Sequence, residues 1–318
     1  MQDLASNSIP TIVITGPTAS GKTALALALA DRFPCQLISV DSSMVYRQLS
    51  IGSAKPDAQT LQRYPHRLVD IRDINQPYSA GDFVGDARAA IATATANRKI
   101  PVLVGGTLLY LRALFQGLAA LPAADPAIRA ALEAEAAESG WDHLYQQLQQ
   151  VDPEAANKIA PADRQRIQRA LEVYRLTGKA MSDWQSESRQ AQRPSPLKFI
   201  LTPPDRAVLH RRIAERSQQM LAEGLVAEVR LIRDQGFSEQ SPALRAVGYR
   251  QVLEHLDGQL EESALPERIT IATRQLAKRQ LTWLRSEPAG FWFDPLAVAT
   301  LERVTRIVLE AVGKTLGK

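Results

Sequence analysis

The 318-residue sequence predicts an α/β protein: a parallel sheet flanked by helices, interrupted by an all-helical insertion. Three observations carry this. Apolar, β-branched runs recur at residues 12–15, 37–40, 102–104 and 199–201 with helix-like segments between them, the alternation expected of βαβ units. Residues 16–23 read Gly-Pro-Thr-Ala-Ser-Gly-Lys-Thr, a complete G-x-x-x-x-G-K-[ST] loop between the first apolar run and the helix-like Ala-Leu repeat from Ala24 to Leu29. From Leu121 to about Ser195 only helical periodicities occur, opened by Leu-Pro-Ala-Ala-Asp-Pro and closed by Gln-Arg-Pro-Ser-Pro. The expected organisation is a core of residues 1–120 and 196–318 around an insertion domain of residues 121–195.

Taken in order, the first strand and its loop form a diphosphate cradle of the P-loop NTPase-like kind. Gly16 and Gly21 let the backbone curl so that amides around Thr18, Ala19 and Ser20 face phosphate oxygens; Lys22 supplies a cation and Thr23 a ligand for Mg²⁺. The second strand ends in Asp41, for which two roles compete: an acid in the Mg²⁺ shell, as in P-loop NTPases, or a base facing a second substrate. The third ends in Gly105-Gly106. Ligand crevices in such sheets lie at the carboxyl ends of the strands, so these three loops are expected to converge. The insertion is polarised: residues 121–157 hold one basic residue (Arg129) against seven acidic ones, and residues 158–195 hold eight basic against four acidic, predicting a basic wall. Within it Ile167, Ala170, Leu171 and Tyr174 make an apolar face, with Gln165, Gln168, Arg169 and Glu172 opposite. After residue 205 long helices dominate. On the first, Leu209, Ile213 and Met220 form an apolar stripe flanked by Arg212 and Arg216, with Arg211 pointing away. Further on, Arg274, Lys278, Thr282 and Arg285 fall along one stripe. Phe291-Trp292-Phe293 reads as an edge strand.

Composition bounds the function. Hydrophobic residues at 45% and charged residues at 23% fit an ordinary globular chain and exclude a disordered or fibrous one. The single cysteine, Cys35, excludes an internal disulfide and a thiolate metal cluster. The N-terminus lacks a targeting segment and no apolar run spans a bilayer, so a cytoplasmic protein without membrane contact is expected. A net charge of +4 is too mild by itself to imply a nucleic-acid partner.

Longer-range pattern sharpens this. The segments Asp41–Arg47, Ile51–Pro56, His66–Asp70, Tyr78–Phe83, Val104–Leu111, Asp163–Glu172, Arg245–Arg250 (Arg-Ala-Val-Gly-Tyr-Arg) and Thr273–Arg285 (Thr-Arg-Gln-Leu-Ala-Lys-Arg-Gln-Leu-Thr-Trp-Leu-Arg) together closely resemble the bacterial tRNA dimethylallyltransferases, in order and over roughly residues 10–290. The resemblance implies transfer of a dimethylallyl group from dimethylallyl diphosphate, with Mg²⁺, to N6 of adenine 37 in tRNAs reading codons that begin with U. It implies that Asp41 is the general base, that Thr107 bonds the amine or a phosphate oxygen, and that an arginine on the 208–220 helix holds diphosphate. Arg216 is chosen over Arg212 because it lies nearer the apolar stripe. It further implies contacts with the tRNA anticodon stem-loop by Asp41, Ser42, Ser43, Met44, Gln165, Arg166, Ile167, Gln168, Arg169, Arg245, Gly248, Tyr249, Arg250, Arg274, Lys278, Arg279 and Arg285; separately, a monomer is expected. Lys55 and His66 lie in these segments without a derivable role. The competing readings are an ATP-binding small-molecule kinase, an adenylate prenyltransferase and an RNA-binding module with a degenerate P-loop.

Overall fold

In the computed structural model, which describes residues 9–119, 121–188, 195–239, 241–287 and 290–316, the first apolar run forms β1 (Ile12–Thr15) and leads through the P-loop into α1 (Lys22–Ala30). β2 (Cys35–Ser39) follows, then α2 (Ala58–Arg63), the two-residue β3 (His66–Arg67), α3 (Ala80–Ala96), β4 (Ile100–Val104) and α4 (Leu108–Gln116). β1 and β4 are buried at every residue, as parallel strands covered on both faces must be. That explains why both read as unbroken apolar runs. α3 starts at a capping box in which Ser79 accepts from the Asp82 amide and the Asp82 carboxylate accepts from that of Ser79, and it buries Phe83, Ala87, Ala90 and Ala94.

The chain divides into two compact units, residues 1–111 with 195–318 and residues 112–194. The second contains α5 (Pro126–Ser139), α6 (Trp141–Val151), α7 (Pro153–Ala156), α8 (Arg164–Thr177) and α9 (Met181–Ser188), and no strand among its described residues. Its core joins Leu132, Leu144, Leu148, Ile159, Ile167 and Leu171. Residues 192–194 of the expected closing segment lie outside the described residues. Glu172 departs from the expected exposed face: it is fully buried. Its carboxylate accepts from Arg129 (2.8 and 3.2 Å), from Arg169 (2.6 Å) and from the Asp125 amide (2.8 Å). Burial pushes this carboxyl up, but the guanidinium and amide bonds outweigh it and the net shift is downward. Part of the expected basic wall is paired in place, while Arg189 and Arg193 lie outside the described residues. Arg129 and Arg169 are held on Glu172, Arg175 on Glu135, Lys179 on Glu187 and Lys158 on Glu154.

The first unit resumes with β5 (Leu197–Leu201), α10 (Arg206–Ala222), α11 (Leu225–Asp234), α12 (Tyr249–Leu256), α13 (Leu265–Ser286), β6 (Phe291–Phe293) and α14 (Thr300–Leu316). The sheet order is β3-β2-β4-β1-β5-β6 with every neighbouring pair parallel, and the Phe-Trp-Phe strand is an edge. α1 and α14 pack on it through Leu25, Leu29, Val304 and Val308. Among the described residues no helix is long and apolar enough to cross a membrane.

Candidate active site

The carboxyl ends of β1, β2 and β4 are laced together: the Val40 amide donates to Val104 O (2.8 Å), the Gly105 amide to Ile14 O (3.1 Å) and the Thr107 amide to Val40 O (3.2 Å). The P-loop, Asp41 and Gly105-Gly106 therefore border one cleft of about 490 Å³, closed on its far side by α10 and α13. Gly16 makes the loop possible, since a Cβ there would sit 2.2 Å from Leu201 O and φ is +152°. At its other end Gly21 caps α1 with no side-chain acceptor for the first helical amides, and Gly21, Lys22 and Thr23 line the cleft, an arrangement able to take an anion.

Ser20 lies beneath the loop, fully buried, and its hydroxyl has no partner. Lys22 Nζ donates to Gly16 O (3.1 Å) and Pro17 O (2.7 Å). Desolvation first, and the Arg216 charge second, lower its pKa from 10.5 to about 7, while Asp41 pulls the other way. The Arg216 guanidinium is itself lowered by burial and raised by Asp41, so the three groups form one electrostatic cluster. Arg212 borders the same cleft from beside Gly21, whereas exposed Arg211 is 3.9 Å from Glu215. This ordering follows from α10 burying Leu209 and Ile213 against Ala277 and Leu281 of α13, which turns the 212/216 edge inward.

Asp41 Oδ1 accepts from the Ser43 (2.8 Å) and Met44 (3.2 Å) amides, a local turn that fixes the carboxylate. No hydrogen bond to Oδ2 occurs among the described residues. Thr107 Oγ1 accepts from the Ser42 amide (3.1 Å) and so ties the Asp41 loop to the Gly-Gly loop. Thr23 is exposed at the start of α1 and lines the cleft, as do Thr18, Ala19, Ser43 and Met44. Ser42 is exposed. His66 lines the cleft with Nδ1 2.6 Å from Tyr64 O, and burial lowers its pKa. Lys55 is spent on Tyr46 O and Asp70.

The remaining expected contacts divide by exposure. Arg245, Arg250, Lys278, Arg279 and Arg285 are exposed, and Arg274 is partly buried with an unpartnered Nε. Tyr249 is fully buried, its hydroxyl donating to Glu228 (2.7 Å), and Gly248 beside it is also buried. In the second unit Gln165 and Arg166 are exposed and Ile167 is in the core; Gln168 donates to Glu133 and Arg169 to Glu172 and Pro122 O.

The family model described as IPP transferase matches residues 44–287. A tRNA dimethylallyltransferase of Thiobacillus denitrificans is 52% identical over 305 residues, covering 96% of this chain and 97% of the relative. The chain belongs to the IPP transferase family. One of Stenotrophomonas maltophilia is 54% identical over 293 residues, covering 89% and 92%. Among solved structures, the tRNA isopentenylpyrophosphate transferase of Bacillus halodurans aligns with TM-score 0.69 and 33% identity over 96% of this chain and 97% of its own. A eukaryotic dimethylallyltransferase acting on tRNA aligns with TM-score 0.78 and 26% identity over 95% and 78%. An IPP transferase thus has the P-loop NTPase-like sheet seen here, with prenyl transfer as the family's chemistry.

Two residues at the site escaped the sequence reading. Glu228 on α11 accepts from the Ser50, Ile51 and Gly52 amides and from Tyr249, anchoring the segment that follows Asp41. Gln280 on α13 accepts from the Thr18 amide (2.9 Å) and donates to Gly106 O (2.9 Å). Each is one polar residue on a helix, and apart from Tyr249 its partners are backbone groups that leave no mark in sequence.

Proposed function

We propose that this protein transfers a dimethylallyl group from dimethylallyl diphosphate to N6 of adenine 37 in tRNAs reading codons that begin with U. The observation that carries the reading is a carboxylate, Asp41, in the same cleft as an uncapped P-loop helix and the cations of Lys22 and Arg216. The anion site suits the leaving diphosphate: the amides of Ala19 and of residues 21–23, the orphaned Ser20 hydroxyl, Lys22, Arg212 and Arg216 oppose the negative charge that collects as the allylic C–O bond breaks. The N6 nitrogen forms the new C–N bond, and Asp41, oriented through Oδ1, takes the N6 proton on Oδ2. Thr107 holds Asp41's loop in register for that step.

Mg²⁺ fits this donor set. Thr23 lines the cleft at the start of α1 and would offer a hydroxyl beside the donor's phosphates, the place the P-loop Ser/Thr takes in P-loop NTPases. When bound, Mg²⁺ would withdraw charge from the leaving group. The adenine must leave its stack to enter the cleft, and the exposed Lys278, Arg279 and Arg285 of α13, with Arg245 and Arg250, supply cations for the flanking phosphates.

The test is incubation with unmodified tRNA and labelled dimethylallyl diphosphate, with ATP hydrolysis measured in parallel. Label on N6 of adenine 37 is expected. ATP turnover without label transfer would overturn the reading.

A further inference from the structure

Gln280 stands across the cleft from everything it bonds. Its Oε1 accepts the Thr18 amide of the P-loop and its Nε2 donates to the Gly106 carbonyl, so one carboxamide spans the loops after β1 and β4. The two ends differ in polarity, and a primary amide satisfies both at once. A second observation agrees: a Cβ on Gly106 would lie 2.5 Å from Gln280 Nε2, so glycine there is what admits the amide to its carbonyl. The side chain comes from α13, four residues from Leu276 and Leu284, which also bound or support this part of the fold, and two from exposed Lys278.

We propose that Gln280 is a positioning residue for prenyl transfer. It fixes the separation between the loop that holds the donor's diphosphate and the Gly105–Thr107 loop, which Thr107 fastens to Asp41. By holding the Thr18 amide it also leaves the amides of Ala19 and of residues 21–23 as the ones that meet phosphate. Because the same helix carries Arg274, Lys278 and Arg285, RNA engagement on α13 bears directly on the spacing of the donor and base loops. The inference rests on the donor and base assignments above. A displacement of about 1 Å between reacting groups costs on the order of 10²-fold in rate, which is the scale at stake.

Two variants test it. Gln280→Leu removes both bonds; Gln280→Glu keeps the acceptor for Thr18 and loses the donor for Gly106, while placing a charge near the diphosphate. With Gln280→Leu, the single-turnover rate on an anticodon stem-loop at saturating dimethylallyl diphosphate should fall about 10–100-fold. Affinity for inorganic diphosphate and for the stem-loop should stay within about twofold, and the melting temperature should change little. Gln280→Glu should lose rate similarly and also weaken diphosphate binding. An unchanged rate in Gln280→Leu overturns the proposal, as does a rate loss matched by equal losses in melting temperature and diphosphate affinity, which marks a merely structural residue. Loss confined to stem-loop affinity marks a simple RNA contact and overturns it too. If wild type transfers no label, the functional reading fails instead.

Discussion

Raising the pH from 6.5 to 8.5 should weaken donor binding by about 25-fold, and Lys22 is the reason. Its ammonium is lowered to about 7 in the open cleft by desolvation and by Arg216. A diphosphate brought against it adds negative charge and returns the pKa toward its ordinary value, so the complex keeps a proton that the free enzyme loses. The sign follows: above about pH 7 binding takes up one proton, and affinity falls by up to tenfold per unit until the pKa of the complex is reached. A free-enzyme pKa of about 7 gives a factor of roughly 1.3 at pH 6.5 and roughly 33 at pH 8.5 for the share of binding lost to deprotonation. The donor's own last proton leaves near pH ~6, below most of this window. The assay is calorimetric titration of dimethylallyl diphosphate across that range in two buffers of different ionisation enthalpy, which reports proton uptake directly. Lys22→Arg, always charged, should flatten the profile. A wild-type affinity independent of pH, or proton release on binding, would refute the reasoning.

The base assignment predicts that Asp41→Asn lowers the single-turnover rate by about 10²–10⁴ with donor affinity nearly unchanged; recovery of the rate on raising Mg²⁺ would instead make Asp41 a metal-shell residue. Arg274→Ala with Lys278→Ala should weaken stem-loop binding and lower the slope of log affinity against log salt by about one to two, and an unchanged slope in filter binding returns both to the role of a solvated face. Glu172→Gln, which strands two guanidiniums on a buried amide, should cost about 1–3 kcal/mol in denaturant unfolding of residues 112–194. Because the Glu172 carboxyl is held below its ordinary range, its contribution is present above the unfolded carboxylate pKa and lost as pH falls through the lower folded one; equal acid sensitivity in the variant would contradict this.

What was legible in the sequence is what has a local code. The P-loop lies between β1 and α1 because glycines and an apolar run mark that turn wherever it occurs, and Asp41 is legible because it follows the apolar run of β2, two residues past its end. The inward edge of α10 was readable from period 3.6, which set Arg212 and Arg216 apart from Arg211. The misses were of two kinds. β3 is two residues long, too short for any periodicity to register. Glu172, Glu228 and Gln280 are polar residues whose worth lies in distant partners: a wheel diagram of α8 shows Glu172 as a solvent-face residue, whereas two arginines and an amide bring it inside. Charge counting is blind to pairing for the same reason in residues 158–187, where Lys158, Arg169, Arg175 and Lys179 sit on acids of the same unit.

Gly16 pressed against Leu201 carries a consequence for how the chain comes off the ribosome. β1 is central, flanked by β4 and β5, yet β5 is synthesised only after the whole of residues 112–194. Until then this fully buried strand has one open edge, and the first bend of the P-loop has no Leu201 carbonyl to settle against. An early-made segment that waits this long for its neighbour is the kind that slows folding and exposes a sticky edge. The insertion thus sets a timetable: the donor-binding loop, made well before residues 112–194, takes its final shape only after they and β5 have been synthesised.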